Sequence, residues 1–124
     1  MARRPSVPLT DAEARLMAVL WKKQSATVAE VVAGVGAEHS VAYSTVQTLL
    51  RILESKGYVA HEKVGRAFLY QPLVDARQAR VRALRHLAAR LFEGSPSLLV
   101  LNVLQDERID SVELERLKKL IAEA

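Results

Sequence analysis

Along residues 43–57 the apolar side chains Val46, Leu49, Leu50 and Leu53 recur at i, i+3, i+4 and i+7, the spacing that gives an α-helix one buried face. The opposite face carries Ser44, Thr48, Arg51 and Ser55, flanked by Thr45 and Gln47. These are short or planar hydrogen-bonding groups, not the Glu/Lys mixture that usually solvates a surface helix. They suit the donor and acceptor pattern of a DNA major groove. Gly57 stands where a helix C-cap belongs, and two short runs follow, 58–64 and 67–70, separated by Gly65-Arg66. Helix, cap and basic-tipped hairpin predict a winged helix.

The same reading places two helices before this one. Thr10-Asp-Ala-Glu13 is a capping box, and Ala12, Leu16, Val19 and Leu20 form the inner stripe of a first helix that ends near Trp21, whose ring packs in the core. Thr27-Val-Ala-Glu30 is a second capping box; Val28, Val31, Val32 and Val35 line the shorter helix it starts, which Gly34 and Gly36 loosen at its end. The second and third helices then make a helix-turn-helix.

After the hairpin, Pro72 is expected to stop the last strand, and Asp75 to cap a helix reaching about Phe92 with Val81, Leu84, Leu87, Ala88 and Leu91 as its stripe. The surrounding Arg77, Arg80, Arg82, Arg85 and Arg90 read as a solvated face or inter-subunit pairs, since no hydrogen-bonding pattern accompanies them. Ser95-Pro96 caps the next helix. Residues 98–104 are apolar all round apart from Asn102, so that helix requires cover on more than one side, for which a second copy of the chain is the natural source. Asp110-Ser-Val-Glu113 opens a last helix striped by Leu114, Leu117, Leu120 and Ile121. The expected organisation is a flexible basic arm at 1–8, a winged-helix DNA-binding domain at 9–72 and a helical dimerisation domain at 73–124. Its expected dimer contacts are Leu84, Leu91, Leu98, Leu101, Leu104, Leu117 and Ile121.

Charge adds to this picture. The net charge of +4 is divided unevenly: residues 1–92 carry +7 and residues 93–124 carry −3, so the basic part would face an anion. With 124 residues, half of them hydrophobic, the chain can hold one ordinary domain or a small domain with a helical appendage. No apolar run approaches the roughly 20 residues that span a bilayer, and residues 1–6 lack the apolar stretch of a signal peptide, which leads to the expectation of a cytoplasmic protein. There is no cysteine, hence no disulfide, thiolate nucleophile or cysteine metal site. His39, His61 and His86 lack metal-ligand spacing, the paired acids Asp106-Glu107 and Glu113/Glu115 fall in or beside the expected dimer region, and no phosphate loop or nucleophile elbow is present. An enzyme, a metal site and a cofactor are therefore not expected.

Four separated motifs, Ala42-Tyr-Ser-Thr-Val-Gln-Thr-Leu, Lys56-Gly-Tyr-Val, Gly65-Arg-Ala-Phe-Leu-Tyr-Gln-Pro-Leu and Ser97-Leu-Leu-Val-Leu-Asn102, resemble in order those of the penicillinase-repressor family, which includes the methicillin-resistance repressors. The resemblance runs from about Leu9 to Ile121. It implies a homodimeric winged-helix repressor on a palindromic double-stranded operator. The family's major-groove contacts carry over to Ser44, Thr45, Gln47 and Thr48, with Arg51, Lys63 and Arg66 directed to phosphates, and Tyr43 at the start of the helix is expected among the DNA-binding residues. In drug-resistance members a membrane sensor metalloprotease leads to cleavage after an asparagine, a motif that Leu101-Asn102-Val103 resembles with Val103 in place of the usual phenylalanine. A second reading of Asn102 is a lone polar group that sets helix register at the interface. Copper-responsive relatives use a cysteine cluster that this chain lacks. Two other functions fit the elements: a winged helix that docks a protein, and a repressor released by a directly bound small molecule. The scarcity of aromatic anchors on the polar face argues against the first, and the small tail argues against a large effector pocket for the second.

Overall fold

Reciprocal capping starts the first two helices of the computed structural model, which describes residues 8–106 and 108–123. All but Pro8 of the expected basic arm, and Glu107 of the acidic pair, lie outside the described residues. Helix α1 (Asp11–Lys23) begins with the Thr10 hydroxyl accepting from the Glu13 amide and the Glu13 carboxylate accepting from the Thr10 amide. Helix α2 (Val28–Gly34) repeats this with Thr27 and Glu30, after a two-residue strand β1 (Ala26–Thr27) that the sequence pattern did not reveal. Helix α3 spans Tyr43–Ser55, and the strands β2 (Val59–Val64) and β3 (Ala67–Pro72) follow.

The three strands form one antiparallel sheet in the order β1-β3-β2. Pro72 ends β3, as expected, and pairs with Val59 as the strand's last residue. The missing N–H costs no ladder bond on the other side, because β1 reaches only Leu69 and Tyr70. The hairpin turns at Gly65-Arg66, with Val64 opposite Ala67 and Gly65 at φ +62°, a left-handed value that suits glycine at the first position of a two-residue turn.

The core of this part unites the inner faces of the elements. Leu16, Met17 and Leu20 of α1, Val31 of α2, and Val46, Leu50 and Leu53 of α3 are fully buried with Tyr58, Val59 and Tyr70 of the sheet region. Each such side chain contributes about 1.5–3 kcal/mol of transfer energy, which is why the i, i+4, i+7 spacing of α3 holds it down. Trp21 packs against this core while half-buried, and its indole N–H donates to the Val74 carbonyl at 2.8 Å. Burial raises the pKa of the Tyr58 and Tyr70 hydroxyls, so both stay neutral.

The chain divides into two compact units within α4 (Ala76–Leu91), between Ala83 and Leu84. Val74 and Ala79 belong to the core of the first unit, and the Leu73 amide donates to the Tyr58 carbonyl at 2.8 Å. In the second unit Ser95 caps α5 (Pro96–Leu104) by accepting from the Leu98 amide, and α6 (Ser111–Glu123) follows. Ala88 and Leu99 are its buried apolar residues, whereas α6 buries none. Among the described residues no single helix is long and apolar enough to cross a membrane.

Candidate nucleic-acid interface

Ser44, Thr45, Thr48 and Arg51 lie exposed along α3, and Gln47 is half-buried beside them. Tyr43, at the first helical position, is 54% exposed. The Thr48 hydroxyl donates to the Ser44 carbonyl at 3.0 Å, which fixes its rotor and leaves its oxygen to accept from a ligand. Ile52 is also exposed on this helix, an apolar neighbour to Arg51 that the polar pattern did not single out. Ala42, the N-cap, offers no side-chain acceptor, and the first turn holds no acid. The free amides of that turn and the positive end of the helix dipole therefore face outward, an arrangement favourable to phosphate oxygens.

The C-terminus of α3 is closed by a Schellman motif. Gly57, at φ +87°, donates to the Glu54 carbonyl at 3.0 Å and Tyr58 donates to the Leu53 carbonyl at 2.9 Å. This reversal sends the chain directly into β2. Lys63 and Arg66 are both exposed, one on β2 and one at the hairpin tip, so the expected wing cations occupy the wing. Its root is joined to α3 through His61, whose Nδ1 lies 2.5 Å from Glu54 Oε1 while its ring lies against Phe68 and Tyr70 at centroid separations of 4.7 and 5.3 Å. His61 is exposed on the first strand of the hairpin; its contact with Glu54 depends on pairing that spacing does not reveal.

A second connection holds α3 from behind. Glu13 is a capping-box residue, but its carboxylate is also 2.7 Å from Lys56 Nζ, with side-chain exposures of 2% for Glu13 and 17% for Lys56. Burial pushes the Glu13 carboxyl up; the Lys56 hydrogen bond, the Thr10 contacts and the Lys56 charge outweigh it and leave the pKa below its ordinary value. The start of α1 is thereby tied to the end of α3. The capping box was legible in the sequence, its partner 43 residues away was not.

The expected dimer residues separate by exposure. Leu84, Leu91, Leu101 and Ile121 are exposed and Leu98, Leu104 and Leu117 half-buried. Asn102 is exposed within α5, its side-chain amide donating to the Leu98 carbonyl at 2.8 Å, and Val103 beside it is exposed too. No group of three or more histidines and carboxylates close enough to hold a metal ion occurs among the described residues.

A helix-turn-helix continued by a β-hairpin, with hydrogen-bonding side chains along the open face of its second helix, defines a winged-helix domain of the nucleic-acid-reading class. Residues 9–123 match the family model described as penicillinase repressor. The chain is 30% identical over 115 residues to the penicillinase repressor of Bacillus licheniformis, covering 93% of this chain and 90% of that protein. It is 33% identical over 116 residues to the transcriptional regulator BlaI of Mycobacterium tuberculosis, covering 93% and 83%. The solution structure of the DNA binding domain of the repressor BlaI superposes with a TM-score of 0.54 at 35% identity, over 63% of this chain and 93% of that one. The chain thus belongs to the penicillinase repressor family, which consists of transcriptional repressors and not enzymes.

Proposed function

We propose that this protein is a homodimeric repressor that seats the N-terminal part of α3 in successive major grooves of a palindromic operator. The observation that carries the reading is the exposed row Ser44, Thr45, Thr48 and Arg51 with Gln47 at its edge, on a helix whose C-terminal end is tied to α1 by the Glu13–Lys56 ion pair and leads into a wing that bears Lys63 and Arg66. Gln47 would read a base edge, the three hydroxyls would bond to bases or phosphates, and Arg51, Lys63 and Arg66 would neutralise phosphates. Because two-fold protein symmetry imposes two-fold symmetry on the site, the half-sites should lie one or two helical turns apart.

The second copy is argued from the second unit. Leu91 at 66% and Ile121 at 52% exposure, with Leu84, Leu101 and Val103, leave several large apolar side chains of the second unit open to solvent. We infer that these residues form the dimer contact and that each half-site binds weakly once the two subunits part. A cut at the Asn102–Val103 bond by a sensor protease would produce that separation, provided α5 unwinds there, because the bond lies inside a hydrogen-bonded helix. Asn102, the lone polar side chain within residues 98–104, supports the register-setting role as well.

Footprinting of the full chain on the DNA upstream of its own gene tests the proposal. Two protected, inversely repeated half-sites centred about 10 or 20 base pairs apart are expected; a single protected half-site, or protection without inverted symmetry, would contradict the dimeric reading.

A further inference from the structure

A recess of about 560 Å³ opens in the first unit where the C-terminal half of α1 meets the end of α2 and the connection leading to α3. Its floor is apolar: Ala18 and Val19 come from α1 and Val35 from the end of α2. Its rim is basic. Arg15 and Lys22 stand at i and i+7 on the α1 face that carries Ala18 and Val19, and His39 adds ring nitrogens from the connection. Lys23 also borders the recess, and none of Arg15, Lys22 and Lys23 has an ion pair among the described residues. No carboxylate lines the recess, and none of its residues belongs to the proposed DNA contacts.

We propose that this recess binds a small organic anion with an apolar body, of the aryl or acyl carboxylate or sulfonate type. The acid group would sit between Arg15 and Lys22, and the apolar part would cover Ala18, Val19 and Val35. An inorganic anion would leave that floor wet, and a neutral apolar ligand would leave two cations facing it without a counter-charge. The volume lies within the range of about 300–1,000 Å³ typical of small-molecule sites. Occupancy would bear on the repressor directly, because Val35 and His39 flank the connection that leads into α3.

Amide NMR of the full chain titrated with 1-anilinonaphthalene-8-sulfonate at about 150 mM salt tests the site without DNA, so its outcome is independent of the operator reading. Saturable shifts centred on Ala18, Val19, Val35 and His39 are expected, and decanoate should displace the probe. Ala18→Glu and Lys22→Glu alter exposed positions and should each weaken binding by about tenfold or more, equivalent to about 1.4 kcal/mol, while the remaining amide spectrum is retained. Shifts confined to the apolar residues of the second unit, affinity unchanged in Lys22→Glu, or displacement by sulfate as effective as that by decanoate would each overturn the proposal.

Discussion

Replacing Lys56 with methionine removes one partner of a pair whose other member, Glu13, is 2% exposed. Loss of one member of a buried pair typically costs about 3–5 kcal/mol, since the remaining charge stays desolvated without its counter-ion. Here Glu13 keeps the Thr10 amide, at 2.8 Å, and Lys56 is itself 17% exposed, which places the expected loss near the lower end, about 3 kcal/mol at pH 7. The pH dependence follows from the depressed Glu13 pKa: in the parent chain its contribution is fully present above the ordinary carboxylate value of 4.5 and is lost as pH falls through the lower folded value. In Lys56→Met the burial that pushes the carboxyl up is no longer outweighed by Lys56, so the deficit should be largest at neutral pH and shrink as pH falls toward 4. Urea unfolding at fixed protein concentration, at pH 7 and pH 4.5, measures both. Adding Glu13→Gln to Lys56→Met should restore part of the loss, because the amide oxygen can still cap α1 while the buried charge is gone. A single variant within about 0.5 kcal/mol of the parent at pH 7, the range of ordinary surface substitutions, or a deficit that does not change with pH, would refute the reasoning.

Four further outcomes are expected. Gly57→Ala imposes a side chain on a residue at φ +87° and should cost about 1–2 kcal/mol, read as a lower urea midpoint; an unchanged midpoint would show that the Schellman turn relaxes. Gln47→Ala should cost roughly 1–3 kcal/mol at one base position, seen as relaxed preference in a substituted-operator series; equal weakening on every sequence would remove its base-reading role. Lys63→Ala and Arg66→Ala should weaken all DNA sequences alike and lower the slope of log affinity against log salt by about one each; an unaltered slope would mean that the wing does not reach phosphate. Leu101→Asp, at a position exposed in the single chain, should give monomers in sedimentation velocity, and a persisting dimer would move the interface elsewhere.

The helices of this protein were legible because their signals are local. The capping boxes at Thr10 and Thr27, the stripe Val46, Leu50 and Leu53 with Leu49 half-buried at its edge, and the Gly57 stop all act within two turns of chain. Long-range pairing was not legible. Strand β1 is two residues long and exists only because β3 lies beside it; Lys56 meets Glu13 across 43 residues, and Val74 and Ala79 pack into the first unit although Pro72 looked like its end. The candidate DNA face shows the same division. The polar row on α3 follows from helical periodicity, whereas the half-burial of Gln47, the exposed Ile52 and the contact of His61 with Glu54 follow from how α3 packs against its neighbours in the fold.

Fluorescence anisotropy of the full chain with its own upstream DNA and with a shuffled duplex of equal composition, at about 150 mM salt, bears most directly on the claim that the α3 face reads an operator. The account predicts tight binding to the native fragment with a preference of at least about 10³-fold over the shuffled one, and a steep decline as salt is raised. Equal and weak binding to both duplexes would contradict it.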